Sequence, residues 1–191
     1  WLRGERLYEP GPWDEPLWWL LGDSGKERLT RPPELKSLHL PIAGLVGLRG
    51  RHPGSLVSLR SGPIRDRYSQ IDLGHIDVVW RGEHVCTDGG SYRYNGDDRW
   101  HAHFLGAQSH NTLTVDGLDP FRHLRRFTTV GRPPAGVVEQ GNQGGVARVV
   151  CEHQGYARLG LVHRRTVMYS PEEPEELIVV VDHLLKAQGG S

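Results

Sequence analysis

Past Pro41 the chain alternates short apolar runs with turn residues, at intervals that suit strands. Strands are predicted over residues 42–49, 55–60, 74–81, 84–88, 91–94, 111–115, 127–130, 136–139, 146–153, 159–169 and 177–183. Alternation is clearest in His75-Ile76-Asp77-Val78-Val79-Trp80 and in Thr112-Leu113-Thr114-Val115. Between the runs stand Asp88-Gly89-Gly90, Asn95-Gly96-Asp97, Asp116-Gly117 and similar groups, which supply the backbone conformations tight turns need. Many short strands without helices between them predict an all-β fold, an antiparallel β-sandwich. A parallel α/β fold is excluded because the crossover helices are lacking.

The first third is different. Asp14 is placed to cap a helix, Glu15 and Pro16 suit its first turn, and Gly22 can end it. Trp13, Leu17, Trp18, Leu20 and Leu21 cover most of its circumference, so the helix should be buried against the rest of the chain or a neighbour. Arg31-Pro32-Pro33 reads as a linker, dividing a short helical segment (1–33) from a β domain (34–191).

Charge narrows the function classes. Lys+Arg and Asp+Glu both number 23 in 191 residues, a formal net charge of zero. That balance argues against a broad nucleic-acid-binding surface. No run reaches the ~18 apolar residues of a membrane span. Cys86 and Cys151 lie in β-like apolar runs and read as buried free thiols, a single disulfide being the alternative. The chain opens at Trp1 and its one methionine is Met168, which reads as a fragment or an excised domain.

Candidate chemistry concentrates between Arg67 and Asp119. Asp88 and His110 stand at predicted strand ends beside Gly-rich or polar turns, where sandwiches carry functional groups. The competing reading has Asp88 starting a turn and His110 capping a strand. His101 and His103 would point to one face if extended, as a metal pair would, or lie on a surface loop. Tyr92, Tyr94 and Trp100 can stack on sugars or pack the sandwich. Arg122 to Arg126, with His123, form a local basic run suited to an acidic polysaccharide or to a solvated face.

The order of these motifs resembles the C-terminal β-domain of the heparinase II/III-like family of polysaccharide lyases. The resemblance rests on Gln70-Ile71-Asp72, Arg81-Gly82, Asp88-Gly89-Gly90-Ser91-Tyr92 and the run from His110 through Gly117. His163-Arg164-Arg165-Thr166-Val167 and Val179-Val180-Val181-Asp182 add to it. It implies an α/α toroid on the N-terminal side, with the active cleft between toroid and sandwich. The helix near residues 13–21 would then be a toroid remnant.

The resemblance also implies a zinc ion held at the positions of Gln70, Asp88 and His110. Gln70 departs from the family's histidine there, and a neutral amide is a poor zinc ligand. Asp72 and His75 are the nearby residues that could substitute. Tyr68 stands where relatives carry a further histidine, and a tyrosine can serve as acid or base. The expected roles are therefore catalysis for Tyr68 and His110, a weak metal site at Asp88 and His110, and substrate binding by Gln70, Tyr92, Tyr94 and Asn111.

The function expected from the resemblance is β-elimination on a uronate-bearing glycan, carried out with the N-terminal α/α domain and incomplete without it. The alternative is a non-catalytic carbohydrate-binding or scaffold domain. The expected partner is an acidic polysaccharide, with neither nucleic acid nor membrane involved.

Overall fold

A computed structural model describes residues 11–22, 36–62, 70–93, 95–125, 128–171 and 176–187. The chain divides into two units, residues 1–35 and 36–191.

In the first unit a 3-10 turn over Pro12–Asp14 runs into α1 (Glu15–Leu21). Asp14 does not cap from outside. It sits at the end of the 3-10 turn, and its Oδ2 accepts the Gly11 amide N–H at 3.0 Å. Leu20 is 72 % exposed in this chain, and the neighbouring Trp19 83 %. The side chains of Trp13, Leu17, Trp18 and Leu21 lie outside the described residues.

In the second unit, β1 (Leu38–Leu40), β2 (Leu45–Arg49), β3 (Leu56–Arg60), β4 (Ile76–Trp80) and β5 (Glu83–Cys86) form one sheet in sequence order. A second sheet has the order β11-β10-β9-β8. Its strands are β8 (Ala135–Gln143), β9 (Val146–His153), β10 (Leu161–Ser170) and β11 (Leu177–Lys186). Strands β6 (Arg122–Arg125) and β7 (Thr128–Val130) make a separate ribbon. All pairings are antiparallel.

The period-2 pattern explains how the two larger sheets meet. Val46 and Leu48 of β2, Val57 and Leu59 of β3, and Ile76 and Val78 of β4 alternate inward. They form one core with Val149 and Cys151 of β9 and Val167 and Tyr169 of β10. Each large aliphatic side chain so buried contributes about 1.5–3 kcal/mol. The result is an antiparallel β-sandwich, as the strand spacing predicts. Cys86 and Cys151 are free thiols, and burial pushes the Cys151 thiol up to about 11.

Strands β1 and β6 fall outside the predicted ranges, and three further segments differ from the sequence expectation. Residues 91–93 form no strand, and residues 111–115 contribute only an isolated bridge from Val115 to Leu118. In the second of these, the Asn111 and Thr112 side chains bond the carbonyls of Leu73, Ile76 and Thr87. The third segment, expected as loop, is α2 (Asp98–Leu105). Its cap is Asp97, whose side chain accepts the Arg99 N–H at 2.7 Å, and Gly106 follows its last residue. Asn95-Gly96-Asp97 is thus the start of a helix rather than a hairpin turn. On α2, His101 is buried and His103 exposed, because residues two apart on a helix diverge by roughly 200°. They form no metal pair.

A second cluster of Ile71, Leu73, Leu105, Ala107 and Phe121 packs α2 and the turn after it against the segment preceding β4. This packing brings His75 and His110 together. Among the described residues, no helix is long and apolar enough to cross a membrane.

Candidate functional site

Gly74 adopts φ +78°, a left-handed conformation glycine takes readily, and a Cβ there would meet Thr112 Oγ1 at 3.1 Å. The Thr112 hydroxyl donates to the Leu73 carbonyl at 2.6 Å, closing residues 110–112 onto the approach to β4. Asn111 completes the closure. Its side-chain amide donates to the carbonyls of Ile76 (3.0 Å) and Thr87 (3.2 Å), and its backbone N–H donates to His75 Nδ1 (3.0 Å).

Asp88 follows β5. Its backbone N–H donates to Asp77 Oδ1 at 2.9 Å, while its own Oδ1 accepts the Gly90 N–H at 2.6 Å. The remaining oxygen, Oδ2, lies 3.1 Å from His110 Nδ1 and 3.6 Å from His75 Nε2. The two imidazoles meet edge to face, with centroids 5.4 Å apart. His75, Asp88 and His110 therefore place one donor atom each within 4.8 Å of one another.

Arg165 of β10 braces this cluster from behind. One guanidinium nitrogen donates to the carbonyls of Gly74 and Asn111, both at 2.6 Å, gripping the residues beside His75 and His110. Its other nitrogens make a paired contact with Asp182 at 2.7 and 2.8 Å. Burial opposes the charge on Asp182, but the hydrogen bonds from Arg165 and His163 outweigh it and hold the carboxyl well below its usual range.

Two imidazoles and a carboxylate are a donor set zinc accepts. The hydrogen bonds decide how well they fit. Because His75 Nδ1 accepts the Asn111 amide, the neutral ring carries its proton on Nε2. That proton faces Asp77 at 3.3 Å and Asp88 at 3.6 Å without closing a well-aligned bond to either. A cation needs a lone pair at that atom. Asp88 and His110 suit a cation, but His75 as held does not, and the three do not form a complete zinc site.

The expected site residues separate into groups. Asp88 and His110 come together. Gln70 does not join them, and its amide reaches Ser91 Oγ at 3.4 Å. Asp72 is engaged by Arg60 at 3.0 Å. The His110 side chain is 0 % exposed and contacts Asp88, which is 28 % exposed. The Asn111 side-chain nitrogen donates to the carbonyls of Ile76 and Thr87, tying residue 111 to β4 and to the end of β5. Tyr92, half exposed and at φ +61°, stacks on Phe104 at 5.6 Å beside Trp100. Tyr68 and Tyr94 lie outside the described residues.

Arg165 and Asp182 are positioning residues that motif reading left without a role. The available signal was a charge at a strand position inside an apolar run, which burial tolerates only when paired.

A family model described as heparinase II/III-like, C-terminal, matches residues 32–191. Among solved structures, a heparinase III gene product superposes with a TM-score of 0.61 at 21 % identity, over 91 % of this chain and 26 % of that one. Heparan sulfate lyase HepC from Pedobacter heparinus gives a TM-score of 0.63 at 18 % identity, with the same coverage of 91 % and 26 %. The chain thus spans about a quarter of the length of these structures. A comparison with curated proteins returns no match. With the fold and a match over most of its length in agreement, the chain belongs to the heparinase II/III-like C-terminal family.

Proposed function

We propose that this domain forms one wall of the active cleft of a polysaccharide lyase acting on a uronate-bearing glycan, an α/α toroid supplying the other wall. The observation that carries the reading is the Asp88–His110 contact at 3.1 Å, buried behind and open to solvent only through the carboxylate. The solved relatives bear the names heparinase III and heparan sulfate lyase, which agrees with an acidic glycan as substrate.

β-Elimination needs a base for the C5 proton, an acid for the leaving oxygen and neutralisation of the uronate carboxylate. In this reading Tyr68 serves proton transfer and the Tyr92 ring meets a sugar face. His75 and His110 fix the position and charge of Asp88. No step is routed through a metal. Residues 1–33 are read as the last part of the toroid.

The second reading, a carbohydrate-binding or scaffold domain without turnover, draws on Gln70, which bonds to Ser91 and stands where the family pattern has a histidine. The experiment is an absorbance assay for unsaturated uronate product, with the longer protein and with this chain alone, over heparan, alginate and related glycans. Turnover by the longer protein, abolished in Asp88→Asn and absent from this chain alone, is expected. Glycan binding by the longer protein without product would select the second reading.

A further inference from the structure

Charge is unevenly spread in this neutral chain. From Pro120 to Val138 there are four arginines (Arg122, Arg125, Arg126 and Arg132), one histidine and no Asp or Glu. Two of those arginines, Arg122 and Arg132, line a groove of about 310 Å³, together with Arg158 from the turn after β9. The apolar part of its lining includes Phe121, Val130 and Pro133, and no acidic residue contributes. The groove shares no residue with the His75–Asp88–His110 cluster.

Its wall is built to hold shape. Arg158 donates to the carbonyls of Pro120 (3.0 Å), Gly155 (3.0 Å) and Asp119 (2.6 Å). Those three bonds use three of the five guanidinium N–H groups, leaving two for a ligand. Gly155 packs so closely that a Cβ would fall 2.4 Å from Pro120 Cβ. The cation is thereby fixed before anything binds, which reduces the ordering cost of binding.

We propose that this groove is a second glycan-binding site, taking a sulfated or carboxylated sugar unit of an acidic polysaccharide away from the His–Asp cluster. This rests on the lyase reading for the identity of the polymer, but not for the chemistry of the site. Guanidinium groups pair with sulfate and carboxylate oxygens, bidentately where geometry allows. Val130, half exposed, and Pro133 suit the C–H face of a pyranose ring. The volume lies at the small end of ligand sites, enough for a sugar unit or two and not for an extended surface. Nucleic acid fits less well, because Phe121 is only 4 % exposed and offers no stacking face. A site here would hold the polymer while another part of the same chain lies in the cleft, raising its effective concentration there.

The test uses the 191-residue chain. Calorimetry measures binding of a heparin tetrasaccharide, its desulfated counterpart, maltotetraose and a short DNA duplex, while amide NMR shifts locate the contact. Expected is salt-sensitive binding of the heparin tetrasaccharide, with shifts centred on Gly131 and Gly155. Arg122→Ala/Arg132→Ala should weaken it at least about tenfold at a temperature where the variant remains folded. Arg122→Glu alone provides the same test should the double variant fold poorly. Asp88→Asn should leave this binding unchanged, so the groove survives even if the longer protein proves to have no lyase activity. Absence of tetrasaccharide binding, equal binding by Arg122→Glu, shifts centred on Asp88 and Tyr92, or tighter binding of DNA would each overturn the proposal.

Discussion

Two histidine–aspartate clusters lie in this domain, and they are satisfied to different degrees. In one, the Gly155 N–H donates to His153 Nδ1 at 3.2 Å, which puts the His153 proton on Nε2. That proton bonds His163 Nδ1 at 2.9 Å, and the His163 Nε2 proton bonds Asp182 at 2.7 Å. Asp182 is closed off by Arg165. Every imidazole nitrogen has a partner and the direction of each bond is determined. In the other, His75 Nε2 and His110 Nε2 are buried without a formed hydrogen bond, and Asp88 opens to solvent. A closed network specifies structure, while an under-satisfied one marks where function leaves polar capacity unspent. Arg165 joins them, so the rigid cluster positions the open one.

The largest expected effect comes from cutting that join. Arg165→Met removes a buried cation and leaves Asp182 charged and the Gly74 carbonyl without its donor, while the Asn111 carbonyl keeps only the Ile76 N–H at 3.4 Å. A loss of about 3–5 kcal/mol in urea unfolding is expected. A loss below about 1 kcal/mol would mean that Arg165 carries no structural connection between the clusters.

Acid should act on the closed cluster. Burial, with His163 and the Arg165 charge beside it, lowers His153 from 6.5 to about 3. Below pH 6.5 the unfolded chain takes up a proton that the folded chain refuses, so stability falls as pH drops from there towards 3. The slope from this group is at most about 1.4 kcal/mol per pH unit. Asp182, also lowered, adds its loss only below its ordinary 3.8. Urea midpoints at neutral and mildly acidic pH should diverge in the natural chain and less in His153→Gln. An unchanged divergence would place the titrating group elsewhere.

Paired truncations sharpen the contrast. His163→Ala strands the buried His153 proton and removes one of the two donors to Asp182 Oδ1, and about 3 kcal/mol of destabilisation is expected. His110→Ala removes a ring whose Nε2 was already unpartnered, while water can reach Asp88, so about 1 kcal/mol is expected. Equal losses in thermal or urea unfolding would erase the distinction between the clusters.

The smallest effect concerns zinc. With the His75 proton held on Nε2, the chain should purify without stoichiometric zinc, and added zinc should shift its melting point little. One equivalent by elemental analysis, absent from Asp88→Asn, would return His75 to the ligand set.

The sandwich was legible because period-2 burial writes itself into the strands, and Val146–His153 matches its predicted range. Asp88 and His110 were legible as polar residues beside Gly-rich turns. Helix α2 was not, because Asn-Gly-Asp serves a hairpin or a helix start equally well, and the choice depends on Leu105 finding Ile71 and Leu73. His75 was legible as a residue that could stand in beside Asp88 and His110, but its orientation was not, because only the Asn111 amide determines which of its nitrogens faces Asp88.

Local chemistry written along the chain therefore determined the strands, most of the turns and the neighbourhood of the polar residues, since each depends on a few adjacent side chains. Tertiary structure decided which polar groups were satisfied. Strand register sets Arg165 opposite Asp182 and His163 opposite His153, and the packing of α2 delivers His110 to Asp88. Hydrogen-bond capacity is spent between residues distant in sequence, so whether any remains for a ligand is a property of the folded chain.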